Sequence, residues 1–197
     1  MSWYILLIAA VAVERVVELV VSTRNLAWSR ARGGIEFGAH HYPTMVTLHT
    51  GLLVGCLVEV IALHRPFVPL LGWPMLALVV GAQVLRWWCI TTLGPQWNTR
   101  VVVIPDAPRV TGGPYRFFSH PNYVAVVLEG VALPLVHGAW ITALVFTVLN
   151  AALLRTRIGV ENSALASLKL STFSWQVEAR LGSRRRCTAP RPDSRSS

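Results

Sequence analysis

Long apolar runs, interrupted by very few charges, restrict this chain more than any other feature. A helix needs about 20 mostly apolar residues to cross the hydrocarbon core of a bilayer. Residues 3–21, 43–63 and 70–93 each have that character. Hydrophobic residues make up 53% of the 197-residue chain and charged residues only 14%, where a soluble domain carries about 25% charged. The chain therefore reads as a multi-pass integral membrane protein.

The charge that is present is basic, 18 Lys and Arg against 9 Asp and Glu, and Lys169 is the only lysine. The arginines lie between apolar runs and in the tail rather than on one polar face, so they argue for membrane orientation and against nucleic-acid binding. Residues 22–42, a loop with room for an interfacial helix, and the loop 94–119 are polar with three arginines each, whereas the turn after residue 63 has Arg65 alone. Two further apolar runs, 123–136 and 140–154, are short for full spans, and the His137-Gly138-Ala139 turn between them allows only a tight helical hairpin. The positive-inside rule then places the N-terminus outside, with both long loops and the C-terminus in the cytoplasm, in the inner membrane. The expected fold class is all-α: a polytopic membrane helix bundle of about five transmembrane helices, the last two a short helical hairpin. Residues 1–170 form the membrane domain, and 171–197 a basic, Pro/Ser/Arg-rich tail expected to be disordered. The N-terminus lacks a basic segment and a small-residue cleavage site, so the first run reads as a retained span.

Several polar residues fall inside the apolar runs. Glu14 and Glu18 are four apart and share a helix face that should look inward. His49, Glu59, Gln83, Arg86 and Glu129 are also intramembrane. Cys56, Cys89 and Cys187 are far apart and support neither a disulfide framework nor a zinc site. The six histidines lack the repeated clusters a di-metal centre needs, so no metal site is expected. Val101 to Ile104 can form a short extended piece. His120-Pro121 opens a helix, since proline is tolerated in the first turn, and the N–H groups exposed there suit an anionic or polar ligand. Arg157 and Glu161, four apart, form either a surface pair or the lining of a cavity.

The ordered set Gly113-Pro114-Tyr115-Arg116-Phe117-Phe118-Ser119-His120-Pro121-Asn122-Tyr123, then Arg157-Ile158-Gly159-Val160-Glu161, resembles the isoprenylcysteine carboxyl methyltransferase family. The similarity extends over roughly residues 10 to 168. Glu14-Arg15, Arg24-Asn25, Gly33-Gly34-Ile35-Glu36, His41-Tyr42-Pro43, Leu48-His49-Thr50 and residues 93–100 resemble its bacterial branch that acts with type III polyketide synthases on alkylresorcinols and alkylpyrones. The resemblance implies S-adenosylmethionine as cofactor, a lipophilic substrate, and a type III polyketide synthase as a partner in the same pathway. It implies that Tyr115, His120, Pro121, Asn122 and Tyr123 line the cofactor pocket, that Arg157 holds the acceptor oxygen, and that Glu161 contacts cofactor or acceptor. Glu129, about two turns after Tyr123, is a further candidate for the cofactor site. Ser119 stands where the family usually has Arg, and Asn162 where it usually has a second Glu. Residues 175–197 differ from the family's ending, as a divergent or frameshifted terminus would. A membrane NADPH-dependent reductase of the steroid 5-alpha-reductase type shares the expected architecture and is the rival reading. A non-enzymatic membrane module, with the intramembrane charges as structural pairs, is another.

Overall fold

The computed structural model describes residues 2–163 apart from His40, Asp106, Arg109 and Asn162. The expected tail and the departure at Asn162 lie outside the described residues. Five α-helices carry the described residues: α1 (Ser2–Arg30), α2 (His41–Ala62), α3 (Pro69–Leu93), α4 (Pro121–Leu135) and α5 (Trp140–Glu161). Two short strands, β1 (Ile35–Phe37) and β2 (Val101–Val103), lie in the two long loops. The helices α2 and α5 are long and apolar enough to cross a membrane, as is the stretch that begins with α3. The helix α1 is long but carries internal charges, and α4, with 15 residues, is short.

Two boundaries and one strand pairing differ from the sequence reading. The first helix continues unbroken through residues 22–30, where the sequence suggests a loop or a separate interfacial helix. It persists because its buried face keeps repeating at Tyr4, Ile8, Val11, Glu18, Ser22, Leu26 and Ser29 after the apolar run has ended. Those spacings of three and four residues form one inward stripe, apolar near the N-terminus and polar further on. The stripe ends at Gly33-Gly34, where Gly33 adopts φ +75° and the N–H groups of Gly33 and Gly34 donate to the carbonyls of Arg30 and Ser29. This is the Schellman closure that glycine permits without a Cβ penalty. The fifth helix is likewise continuous through Glu161. The run 140–154 therefore extends without a break as far as Glu161, and the hairpin pairs one short helix with one full-length helix. Finally, β1 and β2 pair antiparallel, with Ile35 opposite Val103, Glu36 opposite Val102 and Phe37 opposite Val101. The two arginine-rich loops are thus joined at one end of the bundle.

The core gathers Tyr4, Ile8, Val11, Leu52, Cys56, Val60, Val79, Ala132, Leu133, Val136, Ala139 and Phe146. The hairpin is tight because Gly130 has no side chain: a Cβ there would fall 2.1 Å from the Phe146 ring. The large exposed residues Val54, Val58 and Ile61 on α2, and Leu144, Val145 and Val148 on α5, recur at helical spacing, as expected for faces turned to lipid.

At the end away from the sheet, Glu59 of α2 caps the start of α5. Its carboxylate accepts the Ile141 N–H at 3.2 Å, the Thr142 N–H at 2.7 Å and the Thr142 hydroxyl at 2.8 Å, and pairs with Arg65 at 3.1 Å. A carboxylate at a helix N-terminus satisfies otherwise orphaned donors and complements the dipole. Glu59→Gln is expected to cost about 1–2 kcal/mol, measured as a lower thermal midpoint in detergent. An unchanged midpoint contradicts the capping role.

Candidate functional site

The loop and helix that follow β2 build one side of the site. A 3-10 turn, Gly113–Arg116, sits against α3 because Gly113 lacks a Cβ; one would lie 2.6 Å from the Thr92 hydroxyl oxygen. Tyr115 follows in that turn, beside Cys89, and burial pushes its phenol above the usual range. The chain then reaches α4, which begins at Pro121 with His120 as N-cap and no side-chain cap hydrogen bond. Prolines at the first helical position are preorganised for this turn.

His120 and Tyr123 stack, with ring centroids 5.3 Å apart and planes at 16°. The Tyr123 hydroxyl donates to Glu161 Oε2 at 3.1 Å, and His120 Nδ1 lies 3.7 Å from the same oxygen. The Arg157 guanidinium sits 5.8 Å from the Tyr123 ring centroid and donates to the Thr99 carbonyl at 2.6 Å. Arg157 also contacts the Met45 sulfur of α2. Arg157 and Glu161 therefore face inward rather than forming a surface pair with each other. They lie one turn apart on α5 and converge on residues of the α4 N-terminus.

These groups surround one cavity of 1460 Å³. Tyr115, His120, Pro121, Asn122, Tyr123, Arg157 and Glu161 all line it. The Asn122 Oδ1 atom is buried without a partner among the described residues. Glu129 does not line the cavity. It is 4% exposed and lies in a buried ion cluster, accepting from Arg15 at 2.8 and 3.0 Å and pairing with Arg86. Arg15 also pairs with Glu18 at 2.5 Å, and Arg86 Nε lies 3.4 Å from Glu18. Arg15 and Arg86 thus meet Glu18 and Glu129, from three helices, inside the bundle, with Glu14 4.0 Å from Arg15 at the edge of the cluster. Glu14, the other acid expected to look inward, accepts the Trp87 indole N–H at 2.6 Å. Ser119 is exposed at the cavity rim with Arg116.

Sequence reasoning missed the scaffold that holds Arg157. The Thr99 N–H donates to Ser22 Oγ at 3.0 Å, and Asn25 donates to the carbonyls of Gly94 and Trp97 at 3.1 and 2.7 Å. The polar half of the α1 stripe thereby fixes the loop whose Thr99 carbonyl receives Arg157. Its sequence signal was the continuation of three- and four-residue spacing past the apolar run. The small sheet adds a clamp. Glu36 accepts from Arg100 at 2.6 Å and from Arg30 at 2.9 Å. The Arg100 hydrogen bond and, more weakly, that of Arg30 hold its carboxyl below the usual carboxylate range.

The sign of the resulting pH dependence follows from that direction. A depressed folded pKa contributes stability above the unfolded value of about 4.3, which is lost as pH falls through the folded value. Hydrogen exchange at the β1 and β2 amides is therefore expected to speed up as the pH is lowered below about 4.3, relative to the chemical exchange rate. Glu36→Gln should remove that acid-dependent step, and a variant that keeps it excludes Glu36 as its source.

Comparison with known proteins bears on the same segment. A family model described as "Isoprenylcysteine carboxyl methyltransferase (ICMT) family" matches residues 75–167, from within α3 through α5. "Uncharacterized protein YpbQ" of Bacillus subtilis (strain 168) is 37% identical over 166 residues, covering 84% of this chain and 96% of the relative. A protein of Haemophilus influenzae (strain ATCC 51907 / DSM 11121 / KW20 / Rd), "Uncharacterized protein", is 24% identical over 163 residues, covering 81% and 93%. No solved structure matches the chain.

Proposed function

Because this chain belongs to the isoprenylcysteine carboxyl methyltransferase family, we propose that it is an S-adenosylmethionine-dependent membrane O-methyltransferase with a lipophilic acceptor. The observation that carries the reading is the convergence of His120, Tyr123, Arg157 and Glu161 at the polar end of a cavity that reaches between apolar helices. The acceptor is the phenol or hydroxypyrone head of a long-chain polyketide, or an isoprenylcysteine-type carboxylate. The first of these follows the resemblance to the alkylresorcinol and alkylpyrone branch and implies a type III polyketide synthase in the same pathway. The arginine-rich loops joined by β1 and β2 face the cytoplasm of the inner membrane in this reading, with the N-terminus outside.

The residues present fit the cofactor. The first turn of α4 has no side-chain cap, so its N–H groups suit a carboxylate. The partnerless Asn122 Oδ1 accepts from an amino or hydroxyl group. The Glu161 carboxylate complements a positive charge, and Tyr115, His120 and Tyr123 supply ring surfaces. When bound, S-adenosylmethionine supplies a methyl group activated by a sulfonium. Arg157 then holds the acceptor oxygen as an anion, because a neighbouring guanidinium favours the ionised form; a phenol or hydroxypyrone first gives its proton to the Glu161 carboxylate, and a carboxylate acceptor needs no base. Arg157 has donors beyond the one given to Thr99, and its hold on that carbonyl sets the direction in which the others point. Transfer to an anionic oxygen consumes one positive and one negative charge, so walls such as Val126, Leu153 and Leu154 favour it by keeping water away. The chief task left to the protein is alignment of the two reactants.

The test uses purified protein in lipid nanodiscs with methyl-labelled S-adenosylmethionine and a membrane lipid extract. Label is expected in an extractable lipid product, and calorimetry should show S-adenosylmethionine binding without NADPH binding. NADPH binding with no S-adenosylmethionine binding would instead establish the reductase reading.

A further inference from the structure

The segment matched by the family model begins at residue 75, yet the support under Arg157 comes from α1, well before it. Besides the Tyr123 ring, the guanidinium contacts the Thr99 carbonyl at 2.6 Å and the Met45 sulfur. A thioether is a weak acceptor and a carbonyl a strong one, so the Thr99 carbonyl sets the orientation of the guanidinium. That carbonyl is itself held from both flanks. On one side, Ser22 Oγ accepts the Thr99 N–H at 3.0 Å and lies 2.7 Å from the Thr99 hydroxyl oxygen. On the other, Arg100 donates to Glu36 at 2.6 Å and Val101 pairs with Phe37. Residues 94–99 are strapped along α1 at successive turns. Ser22 holds Thr99, Asn25 donates to the Gly94 and Trp97 carbonyls, and Ser29 Oγ accepts from Asn98 at 3.4 Å. Thr99 is the last residue of the strap and, like Arg157, lines the cavity.

Ser22 is 4% exposed, so bulk water does not replace its hydroxyl when that group is removed. The Thr99 N–H is then left without its acceptor, a cost that favours a shifted strap. The shift passes to the Thr99 carbonyl and from there to the Arg157 donors left for the acceptor oxygen. Methyl transfer is steeply sensitive to such a shift, since a misplacement of about 1 Å can cost about 10²-fold in rate. We propose that Ser22 is a positioning residue for methyl transfer, acting through Thr99 on Arg157. By this route α1 takes part in the reaction without touching a reactant: Ser22 does not line the cavity, and no bond to it is made or broken. The proposal rests on the methyltransferase reading and adds to it a residue outside the matched segment. Asn25 and Ser29 hold the strap further from Thr99, so their removal reaches Arg157 less directly.

The experiment compares wild type, Ser22→Ala, Ser22→Thr, Arg157→Ala and the double variant Ser22→Ala with Arg157→Ala in lipid nanodiscs. It reads labelled-methyl transfer from S-adenosylmethionine to the membrane lipid extract, calorimetric S-adenosylmethionine affinity, and hydrogen exchange of residues 94–100 without cofactor. Ser22→Ala is expected to slow transfer at saturating cofactor by about 10- to 100-fold. It should also speed exchange in residues 94–100 and leave cofactor affinity unchanged. Ser22→Thr, which keeps the hydroxyl, should recover most of the rate. In the Arg157→Ala background, Ser22→Ala should slow transfer no further, because the group it positions is already gone. A normal rate in Ser22→Ala, a full further loss in the double variant, or a parallel fall in cofactor affinity would overturn the positioning role and leave the methyltransferase reading intact. Wild-type protein that neither binds S-adenosylmethionine nor transfers methyl would overturn both.

Discussion

Arg157→Ala is expected to cut methyl transfer by at least about 10²- to 10³-fold, the scale for removing one preorganised group that stabilises charge in a transition state. Arg157 holds one end of the proposed reaction: it donates to the Thr99 carbonyl at 2.6 Å, and its remaining donors are left for an anionic oxygen. Alanine removes both the positive charge and that anchor. Glu161→Gln should produce a comparable loss by a different route. Its amide keeps the shape and an acceptor oxygen for the Tyr123 hydroxyl, but removes the negative charge beside the proposed sulfonium. The defect should therefore include weaker S-adenosylmethionine binding, whereas that of Arg157→Ala should fall mainly on turnover. Both side chains are only half-buried, so membrane yield and thermal midpoint should stay close to wild type. Labelled-methyl transfer by the purified variants, alongside calorimetry, separates the two effects. Retained activity in a stable, purified Arg157→Ala protein would remove Arg157 from the mechanism.

Glu129→Leu is expected to produce the largest stability loss. Glu129 neutralises Arg15 and Arg86 at once, at a position 4% exposed. Its removal leaves Arg86 facing Glu18 alone and Arg15 facing Glu18 and, 4.0 Å away, Glu14. Breaking a buried ion pair from one side costs about 3–5 kcal/mol, which should appear as a strongly lowered thermal midpoint or failure to accumulate in the membrane. The double variant Arg86→Met with Glu129→Leu restores charge balance and should recover much of that loss, since well-packed apolar replacements of a buried pair are often neutral. A stable single variant that transfers methyl normally would show that the cluster is not needed to hold α1, α3 and α4 together. A single variant of normal stability that specifically loses S-adenosylmethionine binding would return Glu129 to the cofactor site.

The two predictions mark what was legible in the sequence. Arg157, Glu161, His120 and Tyr123 stand in short motifs, so their candidacy was readable before any helix was placed. Glu129 was readable only as an intramembrane acid. Spacing along its own helix put it two turns from Tyr123, which suggested a place near the same ligand. Its surroundings depend on Arg15 and Arg86, 114 and 43 residues away, and no local pattern encodes such a meeting. The end of α1 failed for a related reason. Hydropathy stops at residue 21, but the helix continues because Ser22, Asn25 and Ser29 find partners on the loop after α3.

The sequence by itself determined the membrane character, the set of helices and the identity of the polar motifs. Apolar run length, turn residues and motif order are local properties, and the free energy of transfer into lipid is nearly additive over a segment. Only the tertiary structure decided which polar residues share a space. It set Glu161 against Tyr123 and His120, anchored Arg157 through Thr99, enclosed Glu129 in a buried ion cluster, and left the Asn150 Oδ1 without a partner among the described residues. In a low-dielectric interior each polar group must find its complement or remain unsatisfied, and whether it does depends on the neighbouring helix rather than on its own.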